Sequence, residues 1–171
     1  MKRLMVFGAL LIAGLVVFLP KTYLYYTAEE ALSSARLHLV GETIEERVVY
    51  LDVRDATVLL NAMPIGSVER IRLMPLIVYN RATVSSVAFA GEFAPLFPEG
   101  IERLDFTYTV LNPTKVTIEG VGGFGPVRGE IDLMEGKMTL VFEPSPVLRL
   151  YPLLLAKLHT SEKGLVYETS F

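Results

Sequence analysis

Glu130 and Asp132 stand two residues apart in a stretch, Pro126 to Leu133, that alternates polar with apolar side chains. On a strand this spacing puts both carboxylates on one face, the placement a general acid and a general base need. Ile131 and Leu133 would occupy the other face, so the same spacing also describes the solvated side of an ordinary strand, which is the expected reading. Further carboxylates cluster at Glu45, Glu46, Asp52 and Asp55. His38 and His159 are the only histidines, far apart and without H-E-x-x-H or comparable metal-ligand spacing. Ser33, Ser34, Ser85, Ser86, Ser145, Ser161 and Ser170 lack a nucleophile elbow or an S-x-x-K context. The chain has no cysteine, which removes thiolate nucleophiles, disulfides and thiolate-bound metals.

Gly120-Val121-Gly122-Gly123-Phe124-Gly125 spells G-x-G-x-x-G. In a dinucleotide site that spelling works because the glycine turn opens a helix whose N-terminus faces the pyrophosphate. Here a strand-like alternation follows, with a further glycine at Gly129, and no βαβ pattern surrounds it. Gly120, Gly122, Gly123, Gly125 and Gly129 are therefore expected to serve a hairpin or bulge at a tightly curved sheet corner. No cofactor, no metal and no catalytic residue is expected, and the chain reads as a non-enzyme.

The elements that would carry these residues are mostly strands. From Arg47 the apolar period is two: Val49, Leu51, Val53; Ile71, Leu73; Phe106, Tyr108, Val110; Val116, Ile118; Met138, Leu140, Phe142. Turn signals fall at Asn61-Ala62-Met63-Pro64, Tyr79-Asn80-Arg81, Asn112-Pro113-Thr114, Gly120 to Pro126 and Glu135-Gly136-Lys137. The pattern predicts an antiparallel meander of eight to ten half-buried strands. Gly91 to Gly100 predicts a loop or one helical turn. Thr27-Ala28-Glu29-Glu30 is a capping box and predicts a short helix over 28–36. Val147 to His159 reads as an apolar helix, kinked or restarted at Pro152, lying on the sheet or plugging its open end. Leu165, Val166, Tyr167 and Phe171 suggest a closing strand. One apolar face of such a sheet must be covered, closed or filled by a ligand, and Met63, Met74, Met134 and Met138 would make it adaptable.

The chain has 171 residues, 51% hydrophobic, with 16 basic against 19 acidic side chains. That is enough for one domain, and too apolar for disorder. No basic stripe is evident along the sequence, and the slight acidity argues against nucleic acid as a partner. From Leu4 to Leu19 runs an uncharged stretch, LMVFGALLIAGLVVFL, whose 16 residues would span about 24 Å as a helix, against a hydrocarbon core of about 30 Å. Lys2 and Arg3 before it, and Lys21, Tyr23, Tyr25 and Tyr26 after it, would supply snorkelling cations and interfacial phenols. A cleaved signal fits less well, because no A-x-A pattern follows Leu19. The positive-inside rule then keeps Lys2 and Arg3 cytoplasmic and exports everything after Tyr26. Beyond Leu19 the chain carries 14 basic against 19 acidic residues.

The order of these features, an N-terminal anchor, a small helix and meandering strands ending in Phe124-Gly125-Pro126-Val127-Arg128-Gly129-Glu130-Ile131-Asp132-Leu133 and a Pro144-Ser145-Pro146 step, resembles the type II secretion system protein N family. That family is similar in turn to the AsmA-like and lipopolysaccharide-transport proteins of the bacterial envelope. The resemblance implies a bitopic inner-membrane protein whose periplasmic sheet curls into a groove or taco. The expected organisation is a tip, transmembrane anchor and interface at 1–26, a linker helix and lead-in at 27–46, and a mostly β periplasmic domain at 47–171. The expected function is an accessory or assembly component of the secretion or envelope machinery, with lipid or lipoprotein transfer through an apolar groove as the alternative. A hydrolase using Glu130 and Asp132 ranks third. Expected partners are membrane lipids and envelope or secretion-system proteins, with homo-oligomerisation left open and nucleic acid excluded.

Overall fold

Alternation with period two along several successive segments leaves each of them one apolar edge, and antiparallel pairing brings those edges onto a common face. The computed structural model, which describes residues 21–34, 36–76, 78–95, 99–162 and 164–170, is built this way. The anchor residues Lys2, Arg3, Leu4 and Leu19 lie outside the described residues, as does Phe171. Among the described residues no helix is long and apolar enough to cross a membrane.

Helix α1 (Lys21–Ser34) leads into β1 (Leu37–Val40), β2 (Thr43–Glu46), β3 (Leu51–Leu60), β4 (Met63–Pro75) and β5 (Tyr79–Phe89). A 3-10 turn at Gly91–Phe93 precedes β6 (Ile101–Thr109), β7 (Lys115–Gly122), β8 (Gly125–Asp132) and β9 (Lys137–Phe142). A second 3-10 turn at Val147–Leu150, a single helical turn α2 (Pro152–Leu155), β10 (His159–Ser161) and β11 (Gly164–Ser170) complete the described chain. All the strands join one antiparallel sheet in the order β1-β3-β4-β5-β6-β7-β8-β9-β11-β10, with β2 beside the first half of β3. Its two ends do not meet, so the sheet is open.

The register aligns two apolar rows on one face. The first is Ile44, Val53, Ile71, Val84, Leu104, Gly120, Val127, Phe142 and Leu165; the second is Leu51, Leu73, Ala82, Phe106, Ile118, Gly129, Leu140 and Tyr167. Helix α1 covers the N-terminal end of these rows, where Tyr25, Leu51 and Val53 are buried together against Leu39, Ile44, Ile71 and Leu73. The segment 147–158 covers the other end: Leu148, Tyr151 and Leu154 are buried with Phe124, Val127 and Phe142. Phe124 meets Phe142 edge-on at 5.5 Å between ring centres.

Several boundaries differ from the sequence expectation. The helix is already formed at Lys21, so Thr27 lies inside it and the capping box does not start it. Residues 37–46, expected as lead-in, are strands of the same sheet; each run is four residues long, too short for its period to show. Tyr79, Asn80 and Arg81 open β5 instead of forming a turn. The apolar segment from Val147 is two short turns broken at Tyr151, because Pro152 has no N–H and is accepted at the first position of a new helix. His159 belongs to β10, and β11 extends the sheet without closing it.

The two-residue loop Asn61–Ala62 joins β3 to β4 with φ of 52° and 64°, the left-handed pair of a type I′ hairpin. Asn tolerates that region; Ala does not. Ala62→Gly is expected to stabilise the fold by about 0.5–1 kcal/mol in urea unfolding, since the steric relief slightly exceeds the entropy cost of glycine. In the same assay Leu148→Ala is expected to cost about 2–5 kcal/mol, and Leu111→Ala, whose side chain is 94% exposed, under about 0.5 kcal/mol.

Candidate functional site

The apolar face is covered at both ends and less so between them. Beside α1 a cavity of about 400 Å³ opens on it, walled by Leu73, Ala82, Phe106, Tyr108, Val116 and the buried Lys21. Leu73, Ala82 and Phe106 are successive members of one apolar row, on three adjacent strands. Its volume lies within the range of about 300–1,000 Å³ usual for small-molecule sites. Helix α1 is held at this place by Glu46 of β2, whose carboxylate accepts from the Lys21 amide at 3.4 Å and from the Thr22 hydroxyl. The Thr22 bond is the main cause that keeps the Glu46 carboxyl below the usual range. Further along the helix the Tyr25 hydroxyl donates to Glu42 at 3.2 Å.

Of the interfacial residues named from the sequence, Lys21 and Tyr25 are turned onto the sheet and buried, whereas Tyr26 is 54% exposed and meets the Tyr25 ring edge-on at 5.4 Å. Tyr23 lies on α1. The glycine cluster forms the β7–β8 hairpin, with Gly122 opposite Gly125 and Gly123-Phe124 as its loop. A side chain at Gly123 would run into the Tyr151 hydroxyl and the Glu99 carboxylate. Gly120 and Gly129 stand in the apolar rows. The cluster is thus a tight packing corner, with a strand and no helix after it.

The opposite face is polar and ordered by the same register. One row reads Glu45, Asp52, Arg72, Thr83, Asp105, Glu119, Arg128; the next reads Thr43, Arg54, Arg70, Ser85, Arg103. Arg72 donates to Asp52 through Nε at 2.8 Å and Nη2 at 3.2 Å, and its guanidinium lies 4.6 Å from the Tyr50 ring centre. Asp105 accepts from Thr83 at 2.6 Å, from Arg81 Nε at 3.0 Å and from Arg103 Nε at 2.7 Å. These arginines form a basic cluster that the linear sequence does not display. Only the pair Arg70 and Arg72 is near in sequence; Arg54, Arg81 and Arg103 arrive through strand pairing.

Comparison with known proteins finds no family model, no curated protein and no solved structure that matches the chain. The two carboxylates with catalytic spacing, Glu130 and Asp132, do lie on one strand, but each has its own structural partner. Glu130 pairs with Lys115 at 2.7 Å, and Asp132 Oδ1 accepts from the amides of Met134 and Glu135 at 2.9 and 3.0 Å, bracing the β8–β9 turn. His38 and His159 are exposed on β1 and β10, at opposite ends of the sheet.

The Arg72 hydrogen bonds outweigh burial and hold the Asp52 carboxyl below the ordinary range. At Asp105 burial pushes upward most strongly, yet the bonds from Thr83, Arg103 and Arg81 together leave it lowered as well. A carboxyl lowered in the folded state contributes stability that is fully present above its unfolded pKa of about 3.9 and is lost as pH falls through the folded value. Urea midpoints are therefore expected to stay level from pH 7 to about 5 and to drop below about pH 4. Asp52→Asn is expected to cost about 1–3 kcal/mol at pH 7 and to shrink that drop, which a pH series of both proteins would measure.

Proposed function

We propose that the chain is a non-enzymatic, membrane-tethered protein whose β domain holds the acyl chain of a lipid against the open stretch of its apolar face. One observation carries this reading: Lys21, two positions beyond the uncharged run that ends at Leu19, is in the wall of the apolar cavity. With that run in a bilayer and Lys2 and Arg3 on the cytoplasmic side, the cavity mouth sits at the outer surface of the membrane, where acyl chains are at hand. A periplasmic, inner-membrane setting and a groove-like curl of the sheet accompany the reading, in line with the resemblance to the type II secretion N family. Left-handed residues at Asp55 and Ser86, either side of Glu69, and a register shift at residues 101–103 favour such a curl, because irregularities of this kind bend strands.

The assembly role that the sequence places first has one supporting feature, the unpaired outer edges of an open sheet. Those edges are β1, β2, β10 and residues 167–170 of β11, of three or four residues each. Strands so short offer few free backbone groups to an added strand, and short edge strands are a common protection against such pairing. Docking of envelope or secretion-system proteins, or of a second copy, therefore takes second place.

Filling the cavity separates the two. Full-length protein in a neutral detergent is expected to retain a phospholipid in native mass spectrometry, and Ala82→Phe is expected to lose it while keeping its far-ultraviolet circular dichroism. Absence of the adduct from the wild type, or equal adducts in both proteins, would rule out the lipid reading. Crosslinking of an envelope protein through a photoreactive residue at Thr160, with no adduct found, would favour the edge-docking role.

A further inference from the structure

We propose that the polar face carries a binding site for a phosphate-type dianion, centred between Arg70 and Arg103. Ser85 of β5 pairs with Arg70 on one side and Arg103 on the other, so two guanidinium-bearing positions flank one hydroxyl across three adjacent strands. Neighbouring strands are about 4.8 Å apart, which sets the two arginine backbones about 10 Å from each other, a span that two extended side chains close around one anion. A cavity of about 280 Å³ lies over this row, walled by Arg70, Arg72, Arg81, Arg103, Thr83 and Ser85.

An ordinary ion-pair network would account for most of these arginines, and charge counting decides against it for the cluster as a whole. Asp52 pairs with Arg72 and Arg54, Glu45 with Arg54 and also with Arg47 outside the cavity wall, and Asp105 with Arg81 and Arg103. Five guanidiniums thus face three carboxylates, one of which Arg47 shares, an excess of at least two positive charges on a chain whose net charge is −3. The next carboxylate along the row, Glu119, stands opposite Arg128. Arg70 makes no ion pair among the described residues, and Arg54 Nε is buried without a hydrogen-bond partner. The planar fork of arginine matches two oxygens of a phosphate, and a dianion would balance the excess. Thr83 already donates to Asp105, which leaves Ser85 as the hydroxyl that faces the anion.

The chemistry is that of a phosphomonoester, free or as a lipid headgroup. The site lies on the face opposite the apolar cavity and does not depend on the acyl-chain reading. Full-length protein in a neutral detergent is titrated calorimetrically with inorganic phosphate, with dihexanoyl phosphatidic acid and with dihexanoyl phosphatidylcholine. Saturable binding of phosphate or phosphatidic acid is expected, weakening with salt, and Arg70→Gln is expected to reduce it about tenfold, the loss of one charge-assisted contact. Arg149→Gln removes an exposed charge outside the cluster and is expected to leave binding unchanged. Phosphatidic acid binding without phosphate binding assigns the lipid headgroup; equal binding assigns the free ester. Failure of both probes to bind, phosphatidylcholine binding as tightly as phosphatidic acid, no effect of Arg70→Gln, or an equal effect of Arg149→Gln would overturn the proposal.

Discussion

Strand register is the constraint on which the rest of this structure depends. Successive side chains of a strand point to opposite faces, so one register brings Leu51, Leu73, Ala82, Phe106, Ile118, Leu140 and Tyr167 into line, and a slip of one residue in any strand would turn its members into water. Full burial of a Leu, Val or Phe side chain contributes about 1.5–3 kcal/mol, whereas an exposed ion pair contributes about 0–1 kcal/mol. The apolar rows therefore hold the register, and the arginine–aspartate pairs on the other face follow from it. The two hairpins with two-residue loops, at 61–62 and 123–124, reinforce it locally, since a two-residue loop allows one pairing of its flanking strands.

Covering the apolar face divides the molecule's energetics. Helix α1 and the segment 147–158 each bury one end of the rows, and both are short or interrupted elements that would not persist as isolated helices. Their stability comes from the sheet. The Glu46 carboxylate ties α1 down at its Lys21 end, and Tyr151, with its hydroxyl raised in pKa by burial and by Glu99, fills the corner that Gly123 leaves open. A side chain at Gly123 would displace Tyr151, which is buried in one cluster with Phe124 and Phe142.

The alternating strands were legible where their period runs unbroken, in parts of β3 and β4 and in β6 to β9, whereas β5 was not, since left-handed Ser86 interrupts its alternation. The glycine cluster could be separated from a nucleotide motif because alternation after Gly125 indicated a strand. Shorter elements escaped, since β1, β2 and β10 offer no more than two alternations. Tyr79-Asn80-Arg81 carries turn-forming Asn, but its neighbours in β4 and β6 supply the ladder that holds it extended. The run from Val147 has the composition of a helix, and its break follows from Pro152, which marks a restart but does not tell from sequence which side stays helical. The arginine cluster was the least visible feature. Its members are scattered over fifty positions and become neighbours only once three strand pairings are known, so no linear scan for basic stretches finds it.

The same alternation makes the two proposed sites adjacent in sequence yet independent in space. Ala82 faces the apolar cavity, while its chain neighbours Arg81 and Thr83 face the charged one. Only Met74 and Arg81, paired near the end of the β4–β5 ladder, contribute to the walls of both cavities. A change at either would disturb apolar and ionic surfaces together, whereas Ala82 and Arg70 lie on one face each. Away from that hairpin end the sheet, one backbone layer thick, separates the two surfaces. The geometry thus gives the β4–β5 hairpin a distinct position: it is where the apolar and the charged faces of an otherwise strictly two-sided sheet come within reach of one another.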